Sequence, residues 1–342
     1  MKFGACPIDQ SLGAIVAHGV QAQGIVLRKG DTVRPDHIAA LAAANVASIV
    51  VARLEPDDVG ENAAARGLAE AIAGPGLRID RAFTGRANIF AEAAGILTVD
   101  PDAVDRINAV DESVTLATLP PFRTVETGEM VATVKIIPFA VPGRVLEAAR
   151  SVARPAPLAL RPFKPLRIGV VSTLLPGLKP TVIAKTLRVL EGRLAPAGAV
   201  IAAEERVPHA ALALADTLWR MAPAHDMTIV YGASAIADRR DVIPAAIEAA
   251  GGTVEHFGMP VDPGNLLLVG RLAGKPVLGA PGCARSPKEN GFDWVLHRLL
   301  AGLEVMPADI RRLGTGGLLM EIVSRPQPRL GESRVEENAT VA

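Results

Sequence analysis

The sequence predicts an α/β protein whose carboxy-terminal half forms one domain around a mainly parallel sheet. From Leu166 onward, short apolar runs alternate with helix-like segments of roughly ten residues, which is typical of parallel strands joined by helices. In residues 1–150, strand-like and helix-like runs follow one another without that regularity, which predicts a mixed α+β region. A proline-rich stretch separates the two halves and indicates the boundary between them.

Composition excludes several classes of protein. The 342 residues carry 36 Lys+Arg against 36 Asp+Glu and are 49% hydrophobic, so neither a disordered chain nor a nucleic-acid-binding protein is expected. Cys6 and Cys283 are the only cysteines, too few to staple a chain of this size. No apolar run reaches the roughly 18 residues of a membrane span. We therefore expect a cytoplasmic protein with no membrane partner.

Two segments mark the predicted domain boundaries. Residues 151–166 contain four prolines, which deny a helix its N–H donors and favour an extended linker. The chain becomes polar and aperiodic after Ile322, which predicts a disordered tail over 323–342. The α/β domain is thus expected to span 167–322.

In the first half, apolar spacing and turn residues predict six elements. Ile38, Leu41 and Ala42 have helical spacing, whereas the run from Ala47 to Val51, interrupted only by Ser48, is typical of a buried strand. No catalytic motif occurs in this half. The predicted elements are, in order, a strand over 25–28, a helix over 35–44, a strand over 47–51, a helix over 62–73 and strands over 114–118 and 130–137.

In the second half, the alternation predicts a longer series. The first run is apolar throughout and ends in small polar residues, as a central parallel strand does. The predicted strands cover 167–173, 199–203, 227–231, 253–257, 266–269 and 276–279, and the predicted helices cover 180–193, 209–221, 242–250 and 290–303.

Ligands of such sheets bind beyond the carboxyl ends of the strands, so the loops there are the candidate site. Ser172 and Thr173 follow the first strand and can line a phosphate or pterin cradle, or form an ordinary turn. Glu204 and Glu205 follow the second predicted strand and can hold Mg²⁺ or position a proton, or form a solvated acidic turn.

The third and fourth loops are rich in small residues. Residues 232–241 let a ligand approach the backbone, and their Arg239 and Arg240 can neutralise a phosphate or form a charged surface. Asp241 suits the N-cap of the following helix. In residues 279–290, Gly282 permits a positive φ, and Ser286, Lys288 and Asn290 offer donors to an anion. Cys283 is expected to pack in the loop rather than act as a nucleophile, and the histidines show no metal-ligand spacing.

Two of these stretches resemble a known family. Residues 232–244, GASAIADRRDVIP, are similar to its glycine-rich loop followed by Arg-Asp-Val-Thr-Pro. Residues 274–290, GKPVLGAPGCARSPKEN, are similar to its Gly-Lys-Pro strand, Leu-Pro-Gly turn and Ser-x-Lys-Glu helix start. The carboxy-terminal half therefore resembles the molybdopterin-binding MoaB/Mog domain of molybdenum cofactor biosynthesis. Residues 13–18 and 30–33 more weakly resemble the opening region of the larger, MoeA-like members.

The resemblance implies a three-layer αβα domain that binds molybdopterin and either adenylylates it with MgATP or exchanges the adenylyl group for molybdate. It also implies a homo-oligomer. The family's catalytic aspartate falls on Asp241, and its earlier acidic position falls near Glu204 or Glu205. The residues expected to bind the cofactor are Ser172, Thr173, Gly232, Ala233, Ser234, Arg240, Pro281, Gly282, Ser286 and Lys288.

Departures from the family pattern leave the activity open. The Thr-Gly-Asp-Glu motif of MoeA-like members is replaced by residues 173–176, and Cys283 and Ala284 stand where the family has Asn or Gln and then Pro. One hypothesis is a molybdopterin-binding protein of cofactor biosynthesis that can include adenylyl or molybdate transfer. A second is a non-catalytic carrier that hands molybdenum cofactor to a molybdoenzyme, and a third is an unrelated α/β enzyme whose loops imitate the family.

Overall fold

The structure, a computed structural model, describes residues 1–22 and 24–319. The tail predicted over 323–342 lies outside them. The chain divides into two compact units, of which the first comprises 1–168, 190–202 and 295–305. The second comprises 169–189, 203–294 and the described residues from 306 onward. No helix in the described part of the chain is long and apolar enough to cross a membrane.

The first 162 residues form short antiparallel sheets and four helices. The sheets have the strand orders β1-β5-β2, β3-β4, β13-β6, β10-β12-β8-β7 and β11-β9-β14. The helices are α1 (Pro35–Ala43), α2 (Glu61–Ile72), α3 (Pro101–Asn108) and α4 (Gly143–Val152). The strands are β1 (Lys2–Pro7), β2 (Ile15–Val16), β3 (Val20–Ala22), β4 (Ile25–Leu27), β5 (Ser48–Arg53), β6 (Asp58–Gly60), β7 (Leu77–Ile79), β8 (Arg86–Ala91), β9 (Gly95–Val99), β10 (Val114–Thr118), β11 (Thr124–Val125), β12 (Met130–Ile136), β13 (Ala140–Pro142) and β14 (Leu158–Pro162).

The main core of this unit lies between α2 and the sheet that contains β8 and β12. Helix α2 buries one face, on which Leu68 and Ile72 are fully buried beside three alanines. Ile89 and Val134, from β8 and β12, belong to the same apolar cluster. The periodicity that predicted a helix over 62–73 therefore reflects a helix packed on a sheet by one stripe of small and branched residues.

Part of the segment predicted to be a linker is a strand. The prolines of 151–166 do keep the chain extended, but β14 pairs antiparallel with β9 along its whole length. Leu158 and Leu160 are buried in the core of the first unit. Proline is tolerated at strand ends and edges, and Pro162 ends this strand, so proline content alone did not indicate a free connector.

Within residues 167–319, the structure has one six-stranded sheet with the order β16-β15-β17-β20-β19-β18. Its strands are β15 (Arg167–Leu174), β16 (Val200–Pro208), β17 (Met227–Tyr231), β18 (Thr253–Phe257), β19 (Leu268–Leu272) and β20 (Lys275–Ala280). The helices are α5 (Pro180–Leu194), α6 (Ala211–Met221), α7 (Val242–Ala249), α8 (Gly291–Leu300) and α9 (Pro307–Arg311).

The predicted mainly parallel sheet is confirmed. Strands β17 and β20 pair in parallel. The backbone N–H of Val200 donates to Leu166 O at the start of β15, and that of His209 donates to Leu174 O at its end, so β16 runs parallel to β15. The last two strands differ, because β19 is antiparallel to β20 and β18 antiparallel to β19. The three-layer arrangement remains a prediction.

Helix α6 offers a matched test of this packing. Leu218 is fully buried in the apolar cluster of the second unit, whereas Leu212, on the same helix, has 80% of its surface exposed. We expect Leu218→Ala to lower the free energy of unfolding by about 2–5 kcal/mol through lost burial and the cavity left behind. Leu212→Ala should change it by less than about 0.5 kcal/mol. Urea denaturation measures both, and equal midpoints would contradict the packing described here.

Candidate functional site

The candidate site lies where the parallel strands end. Because β15, β17 and β20 run in the same direction, the loops after Leu174, Tyr231 and Ala280 emerge at one edge of the sheet. Hydrogen bonds between residues of these loops, the end of β15 and the end of β16 connect the loops to one another. We call Thr173, His209, Gly232, Ala233 and Arg285 the carboxyl-edge cluster.

The peptide group between Gly232 and Ala233 is the centre of this cluster. Its N–H, on Ala233, donates to Thr173 Oγ1 over 2.8 Å. Its carbonyl, on Gly232, accepts from Arg285 Nη2 over 2.9 Å. The position requires glycine, since a Cβ on Gly232 would lie 2.6 Å from the carbonyl oxygen of Ser234. This peptide group is thus bonded on both sides, by Arg285 from the loop after β20 and by Thr173 near the end of β15.

Thr173 also connects this peptide to His209. The Thr173 side chain is buried, and its Oγ1 lies 2.8 Å from His209 Nδ1. The oxygen that accepts from the Ala233 N–H therefore also contacts the imidazole, so one hydroxyl links the ring to the peptide.

His209 was missed by the sequence reasoning because the second strand was taken to end at residue 203. The strand continues to Pro208, so the residue at its carboxyl end is His209. The sequence carried one signal of this extension, the apolar Val207 after the charged residues 204–206.

Arg285 joins three segments of the second unit. Besides Gly232, it donates to Thr186 Oγ1 on α5 over 2.9 Å, and its guanidinium carbon lies 5.3 Å from the centre of the Tyr231 ring. Burial lowers the pKa of Arg285 from its usual value, and the nearby Tyr231 only partly opposes that effect. Within the described residues it forms no ion pair with a carboxylate. The sequence reasoning did not count it among the cofactor-binding residues.

Glu204 and Glu205 do not lie in a loop after the strand, as predicted, but inside β16. Consecutive residues of a strand point to opposite faces, so the two carboxylates do not converge. Glu204 pairs with Arg206 over 2.7 Å. Glu205 accepts two hydrogen bonds from Arg220, of 3.1 and 3.0 Å. Both acids are therefore engaged by arginines.

Asp241 takes the position that its sequence context suggested, at the N-cap of α7. Its Oδ1 accepts from the N–H of Val242 over 2.7 Å, and its Oδ2 accepts from the N–H of Ala237 over 3.1 Å. Both oxygens thus stabilise the backbone of the loop, which is the role expected of a helix cap.

Arg240 is tied to a neighbour rather than turned toward the cluster. Its side chain is 92% exposed and pairs with Asp238 over 2.8 Å. The hydrogen bonds from Arg240 lower the pKa of Asp238 and raise that of Arg240 itself. Ser234 lies in the same loop and is exposed, whereas Ser172 is buried within β15.

The loop after β20 is built differently from the prediction. Pro281 is buried, and residues Gly282–Arg285 form a short 3₁₀ turn in which Gly282 does not take a positive φ. A Cβ on Gly282 would meet no protein atom within 4 Å. Ser286 Oγ accepts from the N–H of Lys288, an exposed residue, over 3.3 Å.

Asn290 was predicted to offer its amide to an anion, but the structure uses that amide to hold the loop. Its Nδ2 donates to Lys288 O over 3.0 Å, and its Oδ1 accepts from the N–H of Phe292 over 3.1 Å. Asn290 is itself buried.

The donor set of the cluster does not fit Mg²⁺. That ion is held by carboxylate oxygens in octahedral geometry, whereas Glu204, Glu205 and Asp241 are each engaged elsewhere. In the described part of the chain, no group of three His, Cys, Asp or Glu side chains is placed to hold a metal ion. A hydroxyl, an imidazole, a guanidinium and backbone groups suit a ligand that is anionic and forms hydrogen bonds.

Neither a protein-family model nor a curated protein matches this chain. Solved structures do resemble it, and three of them are described here by their similarity. The molybdopterin biosynthesis MoeA protein from Pyrococcus horikosii is 16% identical with a TM-score of 0.31, over 88% of this chain and 75% of that one. The molybdopterin biosynthesis enzyme MoaB from Thermus thermophilus is 18% identical with a TM-score of 0.29, over 40% of this chain and 97% of that one. A molybdenum cofactor biosynthesis protein from Pyrococcus furiosus is 12% identical with a TM-score of 0.26, over 89% of this chain and 66% of that one.

All three are proteins of molybdenum cofactor biosynthesis, the group that the two sequence motifs resemble. Because the TM-scores are this low, the similarities carry no argument about the chemistry of the site, which we infer from the residues of the site alone.

The hydrogen bond from Ala233 to Thr173 gives a local test of the cluster. Thr173→Val keeps the shape of the side chain but leaves the Ala233 N–H without its acceptor, which costs about 1–3 kcal/mol. The Ala233 amide should therefore exchange with solvent at least about tenfold faster than in the unmodified protein. Thr173→Ser keeps the hydroxyl and should preserve the protection. Amide hydrogen exchange measures both, and unchanged protection in Thr173→Val would disprove the bond.

Proposed function

We propose that this chain binds molybdopterin at the carboxyl-edge cluster, as a protein of molybdenum cofactor biosynthesis. The observation that carries the proposal is the Gly232–Ala233 peptide, held between Thr173 and Arg285. Gly232 lies in the stretch 232–244 and Arg285 in the stretch 274–290, so their hydrogen bond links the two stretches on which the resemblance to molybdopterin-binding domains rests.

The chemistry of the cluster suits such a ligand. A phosphate calls for guanidinium and backbone N–H donors, and Arg285 supplies the first of these. A pterin is planar and carries several hydrogen-bonding groups, so it needs loops whose backbone it can approach closely. Gly232, Ala233 and Gly282 provide little side-chain bulk there, and the chain as a whole is only 3% aromatic. Of the other predicted contacts, we assign those to Ser234, Ser286 and Lys288 of the two loops. Ser172 and Pro281 are buried and Arg240 pairs with Asp238, so we assign them no contact.

Within this proposal, two activities differ in what they require of the acids. Adenylyl or molybdate transfer, with or without Mg²⁺ and ATP, needs an acid such as Asp241 at the reacting groups. A carrier that hands molybdenum cofactor to a molybdoenzyme needs only the binding cluster. The engagement of Asp241, Glu204 and Glu205 in structural contacts favours the carrier.

Gly282→Ala tests whether the ligand lies against the loop after β20. The added methyl meets no protein atom within 4 Å, so the midpoint of unfolding should not fall. If molybdopterin occupies that space, overpacking should weaken its binding by about tenfold or more. Gly192→Ala, which also adds a methyl where no protein atom lies within 4 Å, is the matched control and should bind normally.

Fluorescence titration of the full chain with molybdopterin measures this binding. Undetectable binding of molybdopterin to the unmodified chain at high micromolar concentration would reject the proposal. Equal affinities of Gly282→Ala and Gly192→Ala would remove Gly282 from the site.

Incubation with molybdopterin, MgATP and molybdate distinguishes transfer from carriage. If the chain is a transferase, AMP or pyrophosphate is released, and Asp241→Asn should abolish that release. The same variant should keep its affinity for molybdopterin, because the asparagine oxygen can still cap α7. If the chain is a carrier, molybdopterin binds without nucleotide products. An unchanged rate in Asp241→Asn would remove Asp241 from any mechanism.

A further inference from the structure

We infer that Arg285, and not a divalent cation, supplies the positive charge that holds an oxyanion of the ligand at the carboxyl edge. This inference rests on the proposed function and deepens it, since it names the charged partner and predicts that binding needs no metal. Three observations support it. They are the uncharged hydrogen-bond partners of Arg285, the ion pairs that other arginines form and the engagement of the carboxylates in structural contacts.

The first observation is that Arg285 donates only to uncharged acceptors. Two of its five N–H donors go to Gly232 O and Thr186 Oγ1. Thr186 in turn donates its hydroxyl proton to Val182 O over 2.8 Å, so that hydroxyl is satisfied without a charge. The two contacts fix the plane of the guanidinium, and three N–H donors remain for a ligand.

The second observation is that three exposed arginines of the same unit are neutralised by acids. Arg206 pairs with Glu204, Arg220 with Glu205, and Arg240 with Asp238. Arg285 is more buried than any of these and forms no such pair within the described residues. Holding a charged group away from water with neutral partners is unfavourable, and a bound oxyanion would offset that cost.

The third observation concerns the metal. A divalent cation at this edge would need carboxylates aimed at it, but the acids nearest in sequence to the cluster are bonded elsewhere. Arginines hold three of them, backbone N–H groups hold the fourth and the Trp294 indole holds the fifth; in order these are Glu204, Glu205, Asp238, Asp241 and Glu289. A planar guanidinium provides the same sign of charge and can bind a phosphate with two parallel hydrogen bonds. The edge is therefore built to bind an oxyanion directly.

Titration with inorganic phosphate tests the inference on the full chain. In EDTA, phosphate should bind to the unmodified protein with an affinity within about twofold of that in MgCl₂. Arg285→Met should weaken phosphate binding by at least about tenfold, the loss expected for a charged hydrogen bond. Arg66→Met removes an exposed arginine of α2 that pairs with Glu70, and should bind phosphate normally.

Arg285→Lys covers the case in which Arg285→Met does not fold. It keeps the charge but not the planar fork, so we expect it to fold and to bind phosphate more weakly than the unmodified protein. Phosphate binding that requires Mg²⁺ would overturn the inference. So would an Arg285→Met variant that binds phosphate with the affinity of the unmodified chain. If Arg285→Met does not fold, the same result in Arg285→Lys would overturn the inference.

Molybdopterin titrations in EDTA and in MgCl₂ separate this inference from the proposed function. Molybdopterin that binds only with Mg²⁺ would reject the inference and leave the proposed function standing. Phosphate that binds through Arg285 while molybdopterin does not bind at all would reject the proposed function and keep the oxyanion site. Equal binding of molybdopterin in both solutions, lost in Arg285→Met, would support both.

Discussion

The orientation of the Gly232–Ala233 peptide is the constraint on which the carboxyl edge depends. Its N–H and carbonyl point in opposite directions, and each has a side-chain partner from another segment, Thr173 on one side and Arg285 on the other. Buried peptide groups need such partners, because an unpaired one loses its bonds to water without replacement. The same two bonds that satisfy the peptide also fix the two loops relative to each other.

The acidic side chains of this region make structural contacts. The positive charge of the cluster comes from a guanidinium group. Asp241 caps a helix, while Glu204 and Glu205 pair with arginines along the edge strand β16. Charged pairs on an edge strand also discourage pairing with another sheet. With the carboxylates so placed, the cluster presents hydroxyl, imidazole and guanidinium groups, which is why an anionic ligand suits it better than a cation.

The accuracy of the sequence-based elements follows the physical strength of each pattern. The strand predicted over 227–231 matches β17, because a run buried on both faces has a strong apolar signature. Strands β8, β9 and β14 were missed, because their pairing with distant strands decides their conformation more than their own residues do. The end of β16 was misplaced because charged residues interrupt an edge strand without ending it.

The sequence by itself determined the alternation of strands and helices in the second half and its mainly parallel sheet, and hence the loops at which a ligand site is expected. Local periodicity and turn residues are sufficient for these, since they act within a few residues. Only the tertiary structure decided that Thr173 contacts His209 and that Arg285 reaches Gly232. Such contacts depend on strand register and side-chain rotamers, which relate residues dozens of positions apart and leave no pattern along the chain.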